Sequence, residues 1–163
     1  MTFATADLYD DYGDTLIVLR SQFRHFGARK SFGGTVLTLK VFEDNSLVKS
    51  LLATPGQGRV LVVDGGESLR YALLGDNLAA SAVKNGWSGL VIAGAIRDAA
   101  LISEMDLGVY AMGTNPRKTE KQNRGDENRT IEIAGAQVKS GMWIWVDEDG
   151  AVLLPEPPTK DAT

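Results

Sequence analysis

The sequence predicts an α/β fold with a mixed sheet and short helices, and three observations carry that expectation. Two continuous apolar runs, Val60-Leu61-Val62-Val63 and Leu90-Val91-Ile92-Ala93, suit strands buried on both faces. Stretches of helical spacing stand between the strand candidates, with cap and stop signals at their ends. Two pairs of short apolar segments joined by tight turns follow near the C-terminus as candidate hairpins. At 163 residues, with no internal repeat or linker, the chain reads as one domain, 1–163, of which 155–163 is a frayed tail.

Taken in order, Ala4, Leu8 and Tyr12 recur at helical spacing, and Gly13 closes that helix. Residues 16–19 are a short strand candidate, and 21–34, rich in Phe, Arg and Gly, reads as loop. Val36, Leu37, Leu39 and Val41 mark a strand over 34–42. Asn45 reads as the cap of a helix over 46–53, with Leu47, Leu51 and Leu52 inward. After the Val60 run, Asp64-Gly65-Gly66 reads as a tight turn, since no Gly-Lys-Ser/Thr follows to make a phosphate loop.

Past Asp98, a short helix through Leu101, Ile102 and Met105 leads into a strand over 108–112. Residues 114–130 carry mixed charges and read as a solvated loop. The first hairpin pairs 131–133 with 136–138, and the second pairs 142–146 with 151–154 around Asp147-Glu148-Asp149-Gly150. That acidic run is too short for an EF-hand calcium loop.

The stretch 75–98 holds the chemistry. Gly75-Asp76-Asn77-Leu78 joins a glycine turn to a helix that starts at Asp76 or Asn77 and stops at Asn85-Gly86. Unpaired N–H groups in its first turn, with the positive end of the helix dipole, favour an anion. The Leu90 strand then presents Arg97 and Asp98 at its carboxyl end, where ligands bind in open α/β sheets. If the two ends meet, amides and a guanidinium would bind a carboxylate, and an adjacent carboxylate could hold a metal.

Composition narrows the alternatives. A net charge of −4 argues against broad binding to nucleic acid or anionic membranes. Without cysteine there is no disulfide framework and no thiolate chemistry. The lone histidine, His25, excludes a His-based metal site and reads as a surface or interface residue. A Ser-His-Asp triad would need His25 itself, and no Gly-x-Ser-x-Gly elbow supports one. Lys84, late on its helix, reads as a surface residue rather than a Schiff-base former. With no signal-peptide pattern and no apolar run near membrane length, the expectation is a soluble, cytoplasmic protein.

Twenty-one residues separate Gly75 from Arg97-Asp98. That spacing resembles the glycine, spacer and Arg-Asp motif of the RraA family, which includes class II 4-hydroxy-4-methyl-2-oxoglutarate aldolases and regulators of ribonuclease E. Four further blocks are similar: Ser31-Phe32-Gly33-Gly34, Val41-Phe42-Glu43-Asp44-Asn45, Arg59-Val60-Leu61-Val62-Val63-Asp64-Gly65-Gly66 and Gly113-Thr114-Asn115-Pro116. The resemblance implies a swivelling β/β/α fold in a ring-like homotrimer, with active sites near subunit boundaries.

It also implies retro-aldol cleavage of 4-hydroxy-4-methyl-2-oxoglutarate to two pyruvates, with oxaloacetate decarboxylation through a shared pyruvate enolate. A divalent cation, Mg²⁺ or Mn²⁺, would be held by Asp98 and chelate the 2-keto acid. Arg97 would hydrogen-bond the keto oxygen as it becomes an enolate. The amides of Gly75, Asp76, Asn77 and Leu78 would bind the pyruvyl carboxylate, and Asp76 could also touch a metal-bound water. No side-chain base is apparent, which leaves a metal-bound water as the candidate. One position departs from the aldolase motif: Leu101 stands where an acid is usual, and neither Glu104 nor Asp106 matches it.

The alternative is a non-catalytic trimeric regulator that binds ribonuclease E. A third idea, menaquinone methyl transfer, finds no support, because the glycine-rich loops lack a following acid placed for an adenosine ribose.

Overall fold

The computed structural model describes residues 2–20 and 22–159. In chain order its elements are α1 (Thr5–Tyr12), β1 (Ile17–Val18), β2 (Arg24–His25), β3 (Phe32–Lys40), α2 (Ser46–Leu52), β4 (Val60–Asp64), β5 (Ala72–Leu74) and α3 (Asp76–Lys84). There follow β6 (Gly89–Ile96), α4 (Ala99–Ile102), β7 (Gly108–Thr114), β8 (Asp126–Glu127), β9 (Ile131–Ile133), β10 (Ala136–Val138), β11 (Trp143–Asp147) and β12 (Gly150–Leu154). One mixed sheet runs β1-β12-β11-β3-β4-β6-β7-β2, with β5 added beside β6 and β8 beside β3, while β9 and β10 form a separate hairpin.

The two apolar runs lie side by side as the parallel strands β4 and β6, and every residue of β6 is buried. Their side chains divide with period two between separate cores. Leu61, Val63, Leu90 and Ile92 pack under α2 and α3 with Val48, Leu52, Ala79 and Ala82. Val60, Val62, Val91 and Ala93 face the opposite way, onto Ile131, Val138, Ile144 and Leu153. Burial on both faces explains why neither strand alternates polar and apolar residues.

Strand β3 serves two partners. Its first part pairs antiparallel with β11, and from Val36 onward it pairs parallel with β4. Gly33 lets the strands pack closely, since a Cβ there would lie 2.7 Å from the Ile144 carbonyl oxygen. On the far side of the β11–β12 hairpin, Leu8 of α1 packs with Trp145, Val152 and Leu154. The Asp147 carboxylate caps α1 by accepting the Thr5 amide at 2.7 Å and its hydroxyl at 2.8 Å. The acidic run after β11 is therefore a turn that also anchors the N-terminal helix.

Several expectations are corrected here. Strand β3 begins at Phe32 rather than residue 34, and β1 covers only two residues. The segment 21–34 is not all loop, because β2 pairs antiparallel with β7; Ser21 lies outside the described residues. His25 is half-buried within the fold, its Nε2 donating to the Asp147 carbonyl at 2.7 Å and its ring 4.6 Å from that of Tyr110. Asn45 makes no side-chain cap to α2. Asp44 takes that role, accepting the Ser46 amide at 2.9 Å. Of the expected tail, residues 155–159 form no helix or strand, and 160–163 lie outside the described residues. No helix among the described residues is long and apolar enough to cross a membrane.

Strand β4 ends where it pairs Asp64 with Ala93, and β5 takes over by pairing with Ala95 and Ile96. The carboxyl end of β6 is thereby held between β5 and β7 and projects past β4. Arg97 and Asp98 leave the sheet there.

Candidate active site

The two ends of the stretch 75–98 meet. The Arg97 amide donates to the Leu74 carbonyl at 2.9 Å, which fixes the exit of β6 beside the entry to α3. At that junction the Asp76 amide donates to Asp98 Oδ2 at 3.1 Å. Gly75 has an extended backbone, φ −127°, so conformation does not require a glycine. Space does: a Cβ would lie 3.0 Å from Asp98 Oδ2 and 3.4 Å from Arg97 Nε. Asp98 itself is left-handed at φ 58°, a conformation that aspartate tolerates better than most residues.

The four amides of the first turn are not equivalent. Asp76 gives its amide to Asp98, and Asn77 gives its amide to the Asp76 carboxylate at 2.9 Å. The Gly75 and Leu78 amides donate to no protein acceptor among the described residues. Arg97 and Asp98 form no ion pair with each other; the carboxylate turns to α3 and the guanidinium reaches the Pro116 carbonyl at 3.5 Å.

Arg97 forms a wall between two cavities. One, of about 220 Å³, is lined by Gly75, Asp76, Asn77, Leu78 and Arg97, together with Asn45, Lys49, Lys118 and Lys121. The other, of about 280 Å³, is lined by Arg97 and Asp98 with Ala99, Thr114, Asn115 and Pro116. Five of the six sequence-predicted site residues thus share the first cavity. Asp98 opens onto the second and reaches the first through its bond to the α3 amide.

The RraA-like family model, described as Aldolase/RraA, matches residues 5–153. The chain belongs to the RraA-like family. A relative from Pseudomonas fluorescens SBW25 is 52% identical over 95% of this chain and 95% of its own, and is provisionally named a 4-hydroxy-4-methyl-2-oxoglutarate aldolase. A structure from Thermus, described as the RNA-processing inhibitor RraA, superposes with a TM-score of 0.95 at 44% identity, covering 100% of this chain and 99% of that one. Another, from Geobacillus kaustophilus and described as an S-adenosylmethionine:2-dimethylmenaquinone methyltransferase, has a TM-score of 0.92 at 42% identity over 94% of this chain and 96% of that one. The two structures share this fold under different functional descriptions, and the Pseudomonas relative carries a third, so fold alone does not assign the activity.

In this RraA-like chain the cavity-lining residues missed from sequence include Asn45 and Lys49 at α2, and Lys118 and Lys121 on the strap 117–124. Lys118 is held by a parallel bridge to Ala72, and Thr119 donates its hydroxyl to Asn45 at 2.7 Å. The buried carboxylate of Asp44 accepts the amides of Gln122 at 2.9 Å and Arg124 at 3.2 Å. Burial pushes the Asp44 carboxyl up, but its bonds from Ser46, Arg124 and Gln122 outweigh this and hold it below the usual value. A mixed-charge segment shows no such tether in its sequence, because its anchors, Asp44, Asn45 and Ala72, lie far earlier in the chain. A further cavity, about 590 Å³, lies against other residues of the same strap, Glu120, Gln122 and Arg124, and is lined by none of the predicted site residues.

Asp98 fits a hard divalent cation of the magnesium type. Its Oδ2 is oriented by an amide, and its Oδ1 has no hydrogen-bond partner among the described residues. No cluster of three or more His, Cys, Asp or Glu side chains forms a cage among those residues. One carboxylate with water and substrate oxygens in the remaining positions is a common way to bind Mg²⁺. Glu104 is exposed, and Asp106 pairs with Arg29 at 3.1 Å, so neither restores the acid missing at Leu101. Lys84 is exposed at the far end of α3.

Proposed function

We propose that this protein is a divalent-metal-dependent lyase cleaving 4-hydroxy-4-methyl-2-oxoglutarate to two pyruvates. Oxaloacetate decarboxylation would run through the same pyruvate enolate. The observation that carries the proposal is the meeting of Gly75, the α3 N-terminus, Arg97 and Asp98 at one junction. The relatives named as aldolases support it.

The Gly75 and Leu78 amides would bind the pyruvyl carboxylate, helped by the positive end of α3. Asp76 and Asn77, whose amides are engaged, would shape that pocket and position Asp98. Arg97, packed against Gly75, would donate to the keto oxygen as negative charge develops there. Asp98 would hold Mg²⁺ or Mn²⁺, which when bound acts as a Lewis acid toward the 2-keto acid. The subunits are proposed to be of the swivelling β/β/α type, assembled in the cytoplasm as a ring-like homotrimer with sites near its boundaries.

The test is coupled pyruvate release by purified protein, with Mg²⁺ and with EDTA. Turnover with Mg²⁺ that EDTA abolishes is the expected result. No release under either condition would remove the lyase. The similarity to the Thermus RNA-processing inhibitor favours one other reading, a regulator that binds ribonuclease E without chemistry.

A further inference from the structure

The smaller cavity carries more positive charge than one carboxylate needs. Lys49, Lys118, Lys121 and Arg97 line it against one acidic side chain, Asp76. Among the described residues none of the three lysines makes an ion pair. Each is nevertheless held in place by its backbone. Lys49 stands one turn after Asn45 on α2, on the same face. Lys118 is fixed by its bridge to Ala72, two residues before β5 ends, and Lys121 precedes the amide that Asp44 binds. Long, exposed side chains on a tethered backbone, lining one cavity and without an ion pair among the described residues, make a ready counter-charge for an anion.

We propose that Lys118 and Lys121, assisted by Lys49, form a second anion subsite taking the distal carboxylate of a dicarboxylic 2-keto acid. This rests on the proposed function, in which the first carboxylate lies at the Gly75 and Leu78 amides and the keto oxygen at Arg97. The second carboxylate then extends away from α3 toward the strap. Specificity for dicarboxylic substrates follows, since a monocarboxylic acid leaves the lysines uncompensated.

The test compares 2-oxoglutarate with 2-oxovalerate, which differ chiefly in the distal carboxylate, by isothermal titration in Mg²⁺ buffer. Wild-type protein and the Lys118→Met/Lys121→Met double variant are titrated side by side, and methionine keeps the apolar stem while removing the charge. The wild type should bind 2-oxoglutarate roughly tenfold or more tighter, the scale of a charge-assisted hydrogen bond. In the variant the ratio of the two Kd values should fall to about one or two. A ratio that survives in the variant, a wild type without preference, or a wild type that binds neither acid overturns the subsite. Pyruvate release from 4-hydroxy-4-methyl-2-oxoglutarate on the same wild-type sample separates the two claims. Selective 2-oxoglutarate binding without pyruvate release supports the subsite and removes the lyase.

Discussion

Asp98 Oδ2 accepts the first amide of α3, and under the proposed function Oδ1, which has no hydrogen-bond partner among the described residues, would hold the cation. Asp98→Ala should abolish metal-dependent turnover while circular dichroism reports an intact fold. Retention of most activity in that variant would remove Asp98 from the mechanism. Asp44 acts on structure instead. Its folded pKa lies below the ordinary value of 3.8, so its contribution is fully present above that value and is lost as pH falls through the folded pKa. Asp44→Asn, which disturbs the bonds that the buried carboxylate accepts from Ser46, Gln122 and Arg124, should lower stability at pH 7 by about 2 kcal/mol. In denaturant titrations the gap between wild type and variant should narrow below about pH 4. A gap constant from pH 7 to pH 3 would show that the charge is not what stabilises the strap.

At the scale of elements, the junction of β5, α3 and β6 depends on the missing side chain of Gly75. Gly75→Ala places a methyl 3.0 Å from Asp98 Oδ2, so the carboxylate must shift by a few tenths of an ångström. Turnover should fall more than tenfold, the sensitivity expected of a positioned site, with little loss of thermal stability. Wild-type turnover in Gly75→Ala would show that this spacing is unimportant. The strands β4 and β6, the helix α3 and both late hairpins were legible because each has a strong local pattern. Strand β5 was not, since its three residues run directly into α3 and exist as a strand only by pairing with β6. The two-residue strands β2 and β8 are likewise made by their partners, β7 and β3. The same reason hid the lysines of the strap and the capping of α1 by Asp147, which joins residues 142 positions apart. The meeting of Arg97 and Asp98 with the start of α3 was readable because both ends lie in one continuous stretch.

For the whole molecule, the assembly is a separate prediction. Sedimentation at micromolar concentration should give a trimer, about three times the 17.5 kDa chain. A monomer would contradict a site near subunit boundaries. The central claim is that Arg97 stabilises charge as it develops on the keto oxygen, and Arg97→Lys tests it most directly. Lysine keeps the charge and loses the planar fork of donors. Oxaloacetate decarboxylation and ribonuclease E inhibition should be measured on one preparation of wild type and variant. The account predicts a fall in kcat of roughly a hundredfold, the scale of one lost oxyanion donor, with inhibition barely changed. Unchanged decarboxylation with lost inhibition would contradict it and make the protein a regulator.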